Sequence, residues 1–465
     1  MFLTHRLPDE IHVQILSWLD GFMSNRTANF RALCLTNRNG YRLATPRLYQ
    51  TIGFDVDGKG RPEHLQKLCI AILCNPTLLS HVDTLHQYVG RMIKPSCFPL
   101  RDHMGLCRTA LSQSGLDASC YEPILEALAD PRYIGSIGSI AFLIVLCRRL
   151  GTRSSVGTFK LYIRWHWKED DILARTLSSL GQSPGLCTVK NIELHDVIDR
   201  QHCCGLSLAE IMVFLQLPSL RSLVISRLGR FDQEHPFTLD LPERFDSALE
   251  SLEILIVWYM TYLEALLVLC PRLKSLTVRW PNRWLLRQYF DAKKIDDWER
   301  DWVILVNALE ELENLETLQI LHRTEDYLHS PFPGWDGTPL RSLCGLGTLK
   351  VLTISDIALV GIEGFDPGNS SHREGDDSFQ QAGLASLLPE SLRELTILHY
   401  DIRLAGAIRL LARDPMVAKL DKFTVYHCHQ IVWTAQDWME DPLLAEIPKN
   451  IRRHMYYEEP PYWDD

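Results

Sequence analysis

Apolar residues recur along most of the chain at relative positions 0, 3, 6 and 8, and this motif restricts the fold more than any other feature of the sequence. The instances are Leu186-Val189-Ile192-Leu194, Leu217-Leu220-Leu223-Ile225, Leu249-Leu252-Leu255-Val257, Leu312-Leu315-Leu318-Ile320, Leu346-Leu349-Leu352-Ile354 and Val417-Leu420-Phe423-Val425. Cys270-Leu273-Leu276-Val278 and Pro389-Leu392-Leu395-Ile397 differ only at the first place. A step of three suits a turn or a helix end, and a final step of two sends both side chains to one face of a strand. Each unit therefore reads as a turn feeding a short strand. Helical stretches are expected between the strands, at 208–217, 262–270, 302–312, 379–388 and 402–411. With one apolar strand face and one apolar helix face per unit, stacking buries a continuous core, which is the construction of a solenoid. The expected fold class is α/β.

Composition supports a large folded chain. Of 465 residues, 46% are hydrophobic and 23% charged, which excludes wholesale disorder and a collagen-like fibre. Against 58 acidic residues stand 48 basic ones, and the net charge of -10 has the wrong sign for holding nucleic acid or anionic lipid by overall charge. No partnership with nucleic acid or membrane is expected, although the sequence leaves room for a local basic patch. The start, Met1-Phe2-Leu3-Thr4-His5-Arg6, lacks the apolar core of an export signal, so a cytoplasmic or nuclear, not secreted, location is expected. The apolar run from Ile140 to Cys147 is too short to span a bilayer. Thirteen irregularly spaced cysteines read as reduced thiols filling core volume.

The first fifty residues carry a different pattern. Leu7-Pro8-Asp9-Glu10 puts proline at a first helical position and two carboxylates in the first turn. Leu7, Ile11, Ile15 and Leu19 follow at intervals of four, with Leu16 beside them, and Asp20-Gly21 supplies a stop. A second helix is expected through Phe30, Leu33, Cys34 and Asn37, broken or bent at Asn39-Gly40. A short third helix would carry Tyr41, Leu43 and Ala44 and end at Pro46, before Ile52, Phe54 and Val56 alternate as a strand. Three short helices make a core too small to be secure without a neighbour.

The segments Leu7-Pro8-Asp9-Glu10-Ile11, Phe30 to Arg38 and Leu43 to Tyr49, in that order and spacing, resemble an F-box of the fungal style. The resemblance implies docking to the Skp adaptor and, through it, to a cullin-RING (SCF-type) ubiquitin ligase, with the remaining chain selecting a target protein. Leu7, Pro8, Ile11, Ile15, Leu16, Leu33 and Cys34 match motif positions that face the adaptor or support that surface. The repeating units beyond it resemble degenerate leucine-rich repeats. Family repeats usually place Asn or Cys eight residues after the first leucine of their L-x-x-L-x-L motif, whereas among the corresponding positions here only Cys428 fits. An irregular horseshoe is the expected outcome.

The organisation read from these features is an F-box at 1–52, a linker with the first irregular repeats at 53–158, the solenoid at 159–455 and an acidic aromatic tail at 456–465. Leu79, Val82 and Leu85 repeat the step of three, and Phe159, Leu161 and Ile163 alternate as another strand. Further helices are expected near 104–112, 121–129 and 137–150. Long excursions are expected at 322–340 and 363–381.

Chemistry has no foothold in the motifs. The phosphate-loop, zinc-protease, nucleophile-elbow and dinucleotide signatures are all missing. His202-Cys203-Cys204 and His427-Cys428-His429 lack the paired spacing of a zinc site. No catalytic residue, metal or cofactor is expected, and the chain reads as a non-catalytic subunit or, alternatively, as a repeat scaffold outside any ligase. Recognition is expected on the residues between the strand leucines, among them Ile254, Ile256, Trp258, Thr277 and Gln319. The stretch Arg279-Trp280-Pro281-Asn282-Arg283-Trp284 stands out there, because Arg and Trp are enriched at binding hot spots. Trp258, Arg279, Trp280, Arg283 and Trp284 are the candidate target contacts.

Overall fold

The computed structural model describes residues 26–36, 38–54, 63–82, 84–87, 102–113, 118–129, 158–163, 189–196, 206, 208–228, 247–257, 260–280, 301–322, 343–355, 387–399, 411, 414–427 and 455–456. The chain is α/β and divides into two compact units, one of Met1–His202 with Glu210–Ser222 and one of Cys203–Ala209 with Leu223–Asp465.

The first unit opens with helices α1 (Arg26–Thr36) and α2 (Arg38–Gln50), which pack around Phe30 and Ala44. α1 ends at Thr36 and α2 begins at Arg38, ahead of the expected break at Asn39-Gly40. Gly40 lies inside α2 at a tight approach to α1, where a Cβ would sit 2.5 Å from the Leu33 carbonyl oxygen and 2.7 Å from Thr36 Oγ1. Pro46 does not end the helix either. Proline removes a single backbone donor, and α2 continues past it for one more turn, with the Thr45 hydroxyl donating to the Tyr41 carbonyl at 2.6 Å. Strand β1 (Thr51–Phe54) follows at once.

Helix α3 (Glu63–Cys74), which the sequence reading does not anticipate, leads through a 3-10 turn (Pro76–His81) into β2 (Thr84–Gln87). Helices α4 (Met104–Ser112) and α5 (Ala118–Ala129) occupy the stretches expected of them. β3 (Thr158–Ile163) and β4 (Asn191–Asp196) complete the strands of this unit. All four pair in parallel and in chain order, with Ile52 opposite Leu85, Leu85 opposite Phe159 and Phe159 opposite Ile192. The expected helix at 137–150 lies outside the described residues.

Helix α6 (Leu208–Leu215) precedes β5 (Ser222–Ile225), from which the second unit runs as β6 (Ser251–Ile254), α7 (Met260–Val268), β7 (Ser275–Trp280), α8 (Asp301–Glu310), β8 (Thr317–His322), β9 (Val351–Ser355), β10 (Glu394–His399), β11 (Lys422–His427) and β12 (Met455–Tyr456). Strands β5 to β12 are neighbours in sequence order, and the pairs from β6 to β12 are all parallel. Leu252, Leu276, Leu318, Leu352, Leu395 and Phe423 form one in-register row, and Ile254, Val278, Ile320, Ile354, Ile397 and Val425 form a second. Every member of both rows is buried. Burial of each such side chain contributes about 1.5–3 kcal/mol, so the rows form the spine of this unit.

The step of three has a direct backbone cause. The N–H at the second place of the motif donates to the carbonyl at the first, as in Leu220 to Leu217, Leu273 to Cys270, Leu315 to Leu312, Leu349 to Leu346, Leu392 to Pro389 and Leu420 to Val417. A fork of two bonds then sets each strand against its predecessor. The N–H groups of Lys274 and Ser275 both reach the Glu250 carbonyl, those of Glu316 and Thr317 reach Lys274, and those of Lys350 and Val351 reach Glu316.

This register corrects one repeat. Leu252 and Ile254 pair with Leu276 and Val278, so the frame there is Leu249-Leu252-Ile254, and Leu255 is only half-buried. Ile254 accordingly belongs to the core and not to the recognition face, while Ser251 and Glu253 take the intervening positions. Polar side chains within the motif also bond from one turn to the preceding one. Two residues after the first leucine, the Asn314 amide donates to the Pro271 carbonyl (3.2 Å), the Thr348 hydroxyl to Leu315 (3.0 Å) and the Ser391 hydroxyl to Leu349 (2.8 Å). The last two satisfy half-buried carbonyls of the preceding turn.

Buried thiols fill core volume in both units. Cys69, Cys107 and Cys270 are fully buried, and burial pushes Cys107 up to about 11 and Cys270 up to about 12, with Cys69 raised in the same direction. A thiol is nucleophilic only as thiolate. At pH 8 these three are therefore expected to stay unalkylated in the native protein while exposed Cys74 reacts, as peptide-resolved mass spectrometry after iodoacetamide treatment would read; labelling of Cys270 as fast as Cys74 would contradict its packing.

Candidate interaction surfaces

Of the residues expected at the adaptor, Leu7, Pro8, Ile11, Ile15 and Leu16 lie outside the described residues. Leu33 and Cys34 are half-buried and pack on the Phe30 and Ala44 core, with Leu43 and Leu48 beside them. The Cys34 thiol lies 3.8 Å from Thr45 Oγ1. These two residues join the surface of the helix pair to its core. What the pair exposes is different: Leu35 is 87% accessible and Tyr41 51%, and Arg31, Arg38 and Arg42 are also exposed. Burial first, then neighbouring Tyr41 and Cys34, push the Tyr49 phenol upward, and Arg31 acts in the opposite sense. Sequence periodicity selected the apolar positions and so passed over this arginine-bearing face.

The second surface is the strand face opposite the leucine rows. In register across β6 to β11 it carries Ser251, Ser275, Thr317, Val351, Glu394 and Lys422 in one row. Glu253, Thr277, Gln319, Thr353, Thr396 and Thr424 form the next. Most are half-buried, small and polar. Arg279 stands on this face and is held by Glu253, Nη2 to Oε1 at 3.0 Å. Glu253 was missed because the shifted repeat frame placed Ile254 and Ile256 on the face instead. The other predicted contacts are not brought together with it within what is described: Trp280 contributes backbone to β7, and Trp258, Arg283 and Trp284 lie outside the described residues.

In the first unit the matching face carries Glu193 and His195, 3.3 Å apart, and Asn191, whose amide donates to Thr158 Oγ1. At the rim of the second unit, Lys274 pairs with Glu250 and Lys350 with Glu316, each at 3.0 Å across adjacent strands. Such exposed pairs contribute ~0–1 kcal/mol, and their value here is to disfavour a slipped register.

Among the described residues there is no group of three or more His, Cys, Asp or Glu able to hold a metal ion, and no helix long and apolar enough to cross a membrane. No protein-family model and no curated protein matches the chain.

Proposed function

We propose that the chain is a substrate receptor of an SCF-type cullin-RING ubiquitin ligase, acting in the cytoplasm or nucleus. In this reading the N-terminal helices form an F-box that holds the Skp adaptor, and the parallel strands are degenerate leucine-rich repeats whose polar face holds a target. Ubiquitin transfer belongs to the other subunits. One observation carries the reading: a helix pair with a small core, too small to be secure alone, runs directly into β1, the first of a series of strands pairing with the leucine motif in register.

The test is co-expression with the Skp adaptor of the same organism, followed by affinity capture and size exclusion. The wild-type chain is expected to form a one-to-one complex that Leu7→Asp with Pro8→Ala abolishes while circular dichroism of the repeats stays unchanged. A folded chain that captures no adaptor would favour a repeat scaffold that never delivers ubiquitination. Targets bound by the repeats should accumulate in cells when residues 1–52 are deleted.

A further inference from the structure

We propose that the helix pair α1 and α2 docks its partner through charge as well as apolar contact, offering an arginine-bearing face to an acidic protein surface; the proposal rests on the receptor reading above, and the partner is the adaptor. Between Gly21 and Phe54 the chain has five arginines, at 26, 31, 38, 42 and 47, and no Asp, Glu or Lys, in a protein whose net charge is -10. The local balance is opposite to that of the whole.

The placement of these charges is ordered. Arg31 and Leu35 stand four apart on α1, and Arg38 and Arg42 four apart on α2 with Tyr41 between, so each pair shares one helix face. Arg31, Arg38, Arg42, Leu35 and Tyr41 are all exposed, and Arg31 and Arg38 make no ion pair among the described residues. Arg42 is held through Nε and Nη2 by Asn39 Oδ1 at 3.2 and 3.1 Å. Arginine and tyrosine around an exposed leucine are the residue types that dominate protein interfaces.

A nucleic acid fits this face less well. An extended polyanion meets the acidic remainder of the chain as well as the helix pair, whereas a compact acidic patch meets the helix pair alone, since screening confines each charge to about 8 Å at physiological salt. The exposed apolar Leu35 also calls for a recess that a phosphate backbone does not offer.

The full-length chain would be titrated with purified adaptor from about 50 to 500 mM salt, for wild type, Arg31→Glu with Arg38→Glu, and Arg31→Lys with Arg38→Lys, each checked for folding by thermal melting. Wild-type affinity is expected to fall steeply with salt. The glutamate pair should bind at least ~10-fold more weakly at low salt, mainly through a slower on-rate, while the lysine pair stays near wild type. Adaptor binding that is insensitive both to salt and to the glutamate pair would overturn the charge inference and leave the receptor reading intact. No adaptor binding by folded wild type at any salt would overturn both. Tighter capture of a single-stranded oligonucleotide than of adaptor would also overturn the inference. If the glutamate pair fails to fold, the salt series on wild type still decides the question.

Discussion

Leu318→Ala is expected to destabilise the second unit by about 2–5 kcal/mol, the range for emptying a core site that cannot collapse. Leu318 is fully buried in the middle of its row, with Leu276 on one side and Leu352 on the other. Both neighbours are held by their own ladder bonds, so neither can move in to fill the space. Gln319→Ala is the matched control: it lies one residue on and faces the other side, and its effect should stay within about 0.5 kcal/mol. Denaturant unfolding followed by circular dichroism measures both. Equal midpoints for the two variants would mean that the strand register described here is wrong.

Gly40→Val should separate α1 from α2 while leaving the repeats in place. Its branched side chain would meet the Leu33 carbonyl oxygen and the Thr36 hydroxyl, and backbone yields less readily than the end of a side chain. Overpacking of this kind costs about 1–3 kcal/mol, which is decisive for a core centred on Phe30 and Ala44. Hydrogen exchange is expected to accelerate across residues 26–50 and to stay unchanged in β7 to β9. Uniform acceleration, or none, would refute the close approach at Gly40. Because the second unit is a series of nearest-neighbour strands, damage in one place is expected to remain local.

Much of the strand series was legible because turn and strand each impose a spacing: three from the first N–H bond, two from the pleat. The same rule failed at 249–257 because Leu249, Leu252, Ile254, Leu255 and Val257 satisfy two frames at once, and only pairing with Leu276 chooses between them. Losing that frame hid Glu253 and therefore the partner of Arg279. Helix α3 left a readable trace in Leu65, Leu68, Cys69 and Ile72, spaced three to four apart. Pro46 misled in the other direction, since proline limits a helix by one bond and a tertiary contact can outweigh it. On the helix pair, Leu33 and Cys34 are half-buried beside the Phe30 and Ala44 core, while Arg31, Arg38 and Arg42 are exposed. No single spacing rule marks exposed arginines of this kind.

Between Leu318 and Leu352 and between Leu352 and Leu395 the chain travels different distances, yet the partners meet in the same register. The forked bonds measure each strand only against the one before it, so the length of the intervening segment never enters. Insertions there can lengthen a loop without shifting a leucine. The order of pairing is also the order of synthesis, and each strand of the second unit finds its template already made when it leaves the ribosome. Such a chain can assemble progressively from its N-terminal side, with no strand waiting on a partner still to be translated.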